Sequence, residues 1–158
     1  MSGGGRDEVR VKMLIIGESY VGKSSLLRQY VDEEFSQNHQ ATIGVEYKQK
    51  TLKTDSGQVR VQIWDTAGTT RYNTLTPNYY RNVDGILLVF DITAKPSFEM
   101  VSYWIKEINE KTDISRKDLL LVGNKTDLAP ERTVSSEEGQ KVADEIGIGY
   151  VETSAKTY

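Results

Sequence analysis

Eight residues, Gly17-Glu18-Ser19-Tyr20-Val21-Gly22-Lys23-Ser24, place glycine, glycine, lysine and serine at the spacing G-x-x-x-x-G-K-[ST]. Those residue types suit phosphate. The glycines let the backbone wrap closely and turn its N–H groups inward, and a helix starting there presents its positive end to an anion. Lys23 supplies a charge for the β- and γ-phosphates, and the Ser24 hydroxyl suits magnesium. Ser19, Tyr20, Val21, Gly22 and Ser25 complete the predicted cradle. A glycine-bearing strand–helix turn without a ligand would carry similar letters. The apolar run before the loop and the helical pattern after it favour the phosphate reading.

Three further segments add chemistry. Asp65-Thr66-Ala67-Gly68 follows a strand pattern. An aspartate at a strand end can hold magnesium directly or through water, though it is equally a common turn residue. Gly68 can bring its N–H to a γ-phosphate, because no Cβ blocks the approach. In Asn124-Lys125-Thr126-Asp127 the carboxylate of Asp127 can accept from both N1–H and N2–H of guanine, whereas adenine offers an acceptor at N1. A site built this way rejects the wrong base by roughly 10⁴-fold or more. Alone, the tetrapeptide is weak and reads more readily as a solvated loop after a strand. Ser154-Ala155-Lys156 is weaker still, but its place after the last strand lets a backbone N–H reach guanine O6. Phe35 is either a ring against the purine or a core aromatic.

The elements that must position these groups follow from apolar periodicity. Val11–Ile16, Ile86–Phe90 and Leu119–Val122 are short apolar runs of buried-strand type. Gly44–Thr54 and Gln58–Asp65 read as an antiparallel hairpin around Asp55-Ser56-Gly57, and Tyr150–Glu152 as a last strand. Helices are predicted over Lys23–Val31, around Leu75–Arg81, over Ser97–Lys111, and over Ser135–Ile146, where Ser135 and Glu138 are spaced as a capping box. Phe35–Thr42 lacks periodicity and reads as a loop. Strands alternating with helices imply an α/β fold, a mostly parallel six-stranded sheet with one antiparallel strand and helices on both faces. Ligands of such sheets lie at the carboxyl ends of the strands. The four motifs should therefore converge on one edge.

The 158 residues suit one domain, with residues 1–7 as a flexible arm and 8–158 as the folded unit. A net charge of −3 argues against a general nucleic-acid binder, and the absence of cysteine excludes disulfides and thiolate metal sites from this stretch. No apolar run is long enough to span a bilayer, so a cytoplasmic setting is expected. No oligomer is predicted.

Taken in this order and spacing, the motifs resemble those of the small GTPases of the Ras superfamily, and more narrowly the Rab branch. The resemblance runs from about Val11 to Lys156. It is carried further by Ile43-Gly44-Val45-Glu46-Tyr47-Lys48, Arg71-Tyr72-Asn73-Thr74-Leu75-Thr76-Pro77-Asn78-Tyr79-Tyr80-Arg81 and Ile86-Leu87-Leu88-Val89-Phe90-Asp91-Ile92-Thr93. It implies a P-loop G domain that binds GTP or GDP with Mg²⁺. It implies Thr42 as the switch-one threonine that joins magnesium with Ser24 and Asp65 (through water), and Phe35 against the base. The effector surface implied is Ile43 with the aromatic triad Tyr47, Trp64 and Tyr79, although core packing would also explain those rings. Effectors, an exchange factor and a GTPase-activating protein are the partners such proteins use, in vesicle trafficking.

This chain departs from the family in four places. The pattern after Asp-Thr-Ala-Gly is Gln-Glu, and here it is Thr69-Thr70. Glutamine orients the attacking water, and a threonine is shorter and carries one hydroxyl, so slow intrinsic hydrolysis is expected; the alternatives are that a partner protein supplies the missing group or that Thr69 recruits a water unaided. Lys23, Thr42 and Gly68 remain as the catalytic set beside this degenerate position. Tyr20 stands where a small residue is usual, and His39 where switch one commonly has tyrosine. The chain stops at Tyr158, before the last helix and prenylated tail of family members. Truncation before that helix is the expectation, with peripheral attachment to endomembranes only through a lipidated tail.

Overall fold

The computed structural model describes residues 9–32, 45–66, 80–113, 115 and 118–156. Strand β1 (Val9–Gly17) leads into helix α1 (Lys23–Asp32). The hairpin β2 (Val45–Thr54) and β3 (Gly57–Thr66) follows, then β4 (Gly85–Asp91), α2 (Lys95–Glu99) and α3 (Val101–Lys111). Next come β5 (Leu119–Asn124), a 3-10 helix (Thr126–Glu131), α4 (Ser136–Ile146) and β6 (Gly149–Thr153).

The six strands form one sheet in the order β2-β3-β1-β4-β5-β6. Only β2 against β3 is antiparallel; every other pairing is parallel. The hairpin pairs Thr54 with Gly57 across Asp55-Ser56, the tight turn that the sequence predicts. Alternation of side chains sends Leu14, Ile16, Ile86, Leu88 and Phe90 to one face, where Trp104 and Ile108 of α3 and Ala143 of α4 bury them. The opposite face carries Ile15, Ile63, Val89 and Val122 under Leu27 of α1, with Met13, Leu87 and Leu120 half-buried around them. Side chains as fully enclosed as Trp104 and Ile108 stabilise the fold by about 1.5–3 kcal/mol each.

Two predicted helices change shape. Ser97–Lys111 is two helices, because Pro96 starts a turn earlier and Met100 separates α2 from α3 while keeping right-handed angles (φ −79°, ψ −6°). Ser97 Oγ also bonds the chain outside the helix, accepting from Asp91 N–H at 2.9 Å. Ser135 lies just outside α4 as its cap, accepting from the Glu138 N–H at 3.0 Å. The helix predicted around Leu75–Arg81 falls outside the described residues except for Tyr80 and Arg81.

Away from the site, one ion pair ties β6 to the segment before α4. Arg132 donates through Nη1 and Nη2 to the two carboxylate oxygens of Glu152 at 2.8 and 3.0 Å. The Tyr150 hydroxyl donates to Glu152 at 2.6 Å, and Ser136 Oγ reaches both oxygens. The Arg132 guanidinium, aided by the two hydroxyls, lowers the Glu152 carboxyl from 4.5 to about 2. Because the folded value lies below the unfolded one, this contribution is complete above pH 4.5 and disappears as the pH falls toward 2. Glu152→Gln is expected to lower stability at neutral pH by about 1–2 kcal/mol after solvent screening. Urea midpoints of parent and variant should converge on acidification, and a gap that stays constant would refute the assignment.

Candidate functional site

The phosphate loop leaves the sheet at Gly17, where a Cβ would lie 2.2 Å from the carbonyl oxygen of Val89 on β4. Glycine is therefore required for the loop to pass that close. Val21, 1% exposed, pins the middle of the loop into the core. At Gly22 (φ 96°) a Cβ would lie 2.3 Å from Nδ2 of Asn124, so the second glycine makes room for the loop after β5. Asn124 Nδ2 donates to the Val21 carbonyl at 2.9 Å. Helix α1 begins at Lys23, with its open N–H groups toward the loop.

Lys23 is 4% exposed, and its ammonium donates to the Glu18 carbonyl at 2.7 Å, inside the curve of the loop. Burial lowers it to about 8, against the opposing pull of the Asp65 and Glu18 carboxylates. A buried ammonium next to inward-curving backbone is a favourable setting for phosphate. Ser24 Oγ donates to the Asp65 carboxylate. Phosphate loop and strand β3 thus bring two hard oxygen donors side by side, a donor set that fits magnesium. Ser19 is half-buried in the turn.

Tyr20 sits in the left-handed region (φ 66°) with 60% of its surface exposed. Its carbonyl accepts from Lys125 Nζ at 2.7 Å, and Lys125 also pairs with Asp91 at 2.9 Å. This brace joins the phosphate loop, the end of β4 and the loop after β5. A side chain in that backbone region costs roughly 1–2 kcal/mol, partly offset by the extra freedom that glycine has when unfolded. Tyr20→Gly is expected to raise stability by up to about 1 kcal/mol in urea unfolding. A loss of stability would mean that the ring makes a contact worth more than the strain.

The loop after β5 turns through Lys125 (φ 72°) into the 3-10 helix. Asp127 accepts from Ser154 Oγ at 2.7 Å, and the Lys156 N–H donates to the same hydroxyl at 3.1 Å. Thr153 Oγ1 donates to Asn124 Oδ1 at 3.0 Å. These bonds align the loop after β5 with the loop after β6. A cavity of about 80 Å³ lies between them and the phosphate loop, bordered by Gly22, Ser25, Asn124, Lys125, Asp127 and Ala155.

The expected convergence on one sheet edge therefore holds for Gly17–Ser24, Asn124–Asp127 and Ser154–Lys156, and for Asp65 of the segment Asp65–Gly68. Phe35, Thr42, Ile43, Gly68, Thr69 and Tyr79, with His39, lie outside the described residues. Tyr47 and Trp64 face each other across the hairpin with ring centroids 4.7 Å apart; Tyr47 is exposed and Trp64 half-buried. Sequence reading passed over Asp91 and Glu18. Asp91 ends β4 as Asp65 nears the end of β3, which was a usable signal. Glu18 receives the Trp104 indole N–H at 3.1 Å from 86 residues away, which no local pattern announces.

Comparison with known proteins agrees with this arrangement. The Ras family profile matches residues 12–158. The chain is 47% identical over 145 residues to the Ras-related protein RIC1 of Oryza sativa subsp. japonica, covering 92% of this chain and 71% of that protein. It is 47% identical over 153 residues to the Ras-related protein RABA5e of Arabidopsis thaliana (96% and 69% covered). To the Ras-related protein Rab-15 of Rattus norvegicus it is 43% identical over 150 residues (95% and 70%). The chain belongs to the Ras family, in its Rab branch. It is thus a small GTPase with the G-domain sheet, and such GTPases bind guanine nucleotide and Mg²⁺. Among the described residues of this Rab-branch GTPase, no helix is long and apolar enough to cross a membrane.

Proposed function

We propose that this Rab-branch protein is a GTP/GDP switch whose own hydrolysis of GTP is slow. The observation that carries the switch is the interlock of the phosphate loop with the loop after β5, Asn124 to Val21 and Lys125 to Tyr20. It ties the loop Gly17–Ser24 to the loop that carries Asp127, which supports the reading of one as a phosphate cradle and the other as the base-reading segment. In this reading Lys23 and the N–H groups of residues 19–25 bind the phosphates. Asp127 accepts from the guanine N1–H and N2–H, Ala155 donates its N–H to O6, and Asn124, Lys125, Ser154 and Lys156 keep these groups in register. Phe35 covers the base. Ser24, Thr42 and, through water, Asp65 would hold magnesium, which would neutralise phosphate charge. Contacts of Thr42 and Gly68 with the γ-phosphate make the surface around Ile43, Tyr47, Trp64 and Tyr79 differ between the GTP and GDP forms. Effectors read that difference, and an exchange factor and a GTPase-activating protein set its timing. Attachment to endomembranes would need a lipidated segment.

Thr69 carries the claim of slow turnover. Without a glutamine amide, the attacking water loses its orienting partner. The same residue favours a second reading, a nucleotide-binding module with negligible hydrolysis. Single-turnover phosphate release, with and without an activating protein, separates the two. Thr69→Gln is expected to speed intrinsic hydrolysis by about tenfold or more. An unchanged rate in that variant removes the argument from Thr69, and rapid release by the parent removes the claim of slow turnover.

A further inference from the structure

The face of the sheet that holds Trp64 continues, beyond the apolar core, into a basic groove. Parallel pairing sets Lys12 opposite Gln62 and Leu14 opposite Trp64, so Arg10, Lys12, Gln62 and Trp64 share this face. The segment between Tyr80 and β4 adds Arg81 and Asp84 at the border, and the groove measures about 520 Å³. Arg10 and Arg81 are exposed. Lys12 Nζ donates to the Arg81 carbonyl at 2.9 Å and stands 5.7 Å from the centre of the Trp64 ring. Asp84, the one acid bordering the groove among the described residues, already accepts the Lys12 backbone N–H at 2.9 Å. Burial and the nearby Arg81 charge both lower the Lys12 ammonium. Three cations are therefore gathered in one concave strip, on a chain whose net charge is −3.

We propose that this groove receives an acidic segment of a protein partner, whose carboxylates pair with Arg10 and Arg81 while an apolar side chain rests on Tyr47 and Trp64. The inference rests on the reading of the chain as a switch with effectors, and it names the chemistry of the partner. The exposed guanidinium groups of Arg10 and Arg81 suit bidentate pairing with Asp or Glu. The exposed ring of Tyr47, tilted against Trp64, offers an aromatic anchor at one end of the strip. A flat anionic membrane matches this setting less well: the cations line a groove, and the chain as a whole is acidic.

The test selects a random peptide library on the full chain loaded with a non-hydrolysable GTP analogue. Selected peptides are expected to be rich in Asp and Glu beside an aromatic or leucine residue. Their affinity, read by fluorescence anisotropy, should fall about tenfold or more in the double variant Arg10→Glu/Arg81→Glu and steeply with added salt. Retention of labelled GDP by the variant checks that it is folded. Peptides without excess acid, or binding unchanged by the double variant, would overturn the proposal. So would loss, in that variant, of binding to phosphatidylserine vesicles when no acidic peptide is selected. Equal peptide binding by the GDP form would keep the groove assignment and refute instead the nucleotide-dependent effector reading.

Discussion

Lys23→Met is expected to weaken GTP and GDP binding by roughly a thousandfold, while leaving the nucleotide-free protein no less stable. The two halves of that expectation have one cause. The ammonium is 4% exposed and lies inside the phosphate loop, with the Glu18 carbonyl as a hydrogen-bond acceptor. Burial already lowers it to about 8, so the protein holds this charge at a disadvantage before any phosphate arrives. Phosphate oxygens would turn that disadvantage into charge-assisted hydrogen bonds of about 1.5–3 kcal/mol each. Two of them account for the thousandfold loss. Methionine keeps an unbranched chain one atom shorter and without the charge, and it removes the cost of a buried cation. Titration with a fluorescent guanine nucleotide measures the first effect, and urea unfolding of the nucleotide-free protein the second. An affinity within a few fold of the parent would show that Lys23 does not face the phosphates.

Asp127→Asn is expected to reduce the preference for GTP over ATP by roughly a hundredfold or more. The carboxylate can accept from two adjacent guanine donors, whereas an amide presents one acceptor and one donor. One guanine N–H then faces another N–H, and a buried donor is left unpaired. The substitution keeps the shape of the side chain, and its amide oxygen can still accept from Ser154 Oγ, the bond now made to Asp127 at 2.7 Å. The loops after β5 and β6 should therefore stay in register, so the change reports on base recognition. Competition of GTP and ATP against a labelled guanine nucleotide provides the measurement. A preference unchanged in the variant would assign base selection elsewhere.

Much of the fold was readable because it is written in local patterns. Apolar runs at Ile86–Phe90 and Leu119–Val122 mark central strands, since strands buried on both faces need no polar alternation. The turn at Asp55-Ser56 pins the hairpin, and Ser135 marks the start of α4 through a hydrogen bond within one turn. The first half of β1 was less readable. Arg10 and Lys12 interrupt its apolar pattern, yet both belong to the strand because β3 pairs with it along Val9–Ile15. The split of Ser97–Lys111 into α2 and α3 was hidden for a related reason. Both halves keep helical spacing, and only Pro96 hinted at an earlier start.

The sequence by itself determined which residues are offered for the proposed chemistry: Gly17–Ser24 for phosphate, Ser24 and Asp65 for magnesium, Asp127 for guanine, and Thr69 where the resemblance implies glutamine. Spacing over a few residues suffices for each of these, because the backbone of one turn or one strand end positions them. Tertiary structure alone decided how the pieces brace one another. Asn124 reaches Val21 over 103 residues, Lys125 reaches Tyr20 over 105, and Trp104 reaches Glu18 over 86. It also placed Arg81 beside Lys12, 69 residues away, to make a basic groove next to Trp64. Such meetings depend on the strand order β2-β3-β1-β4-β5-β6 and on pairing register. Burial of two apolar faces selects that order for the whole sheet at once, and no single stretch of chain contains it.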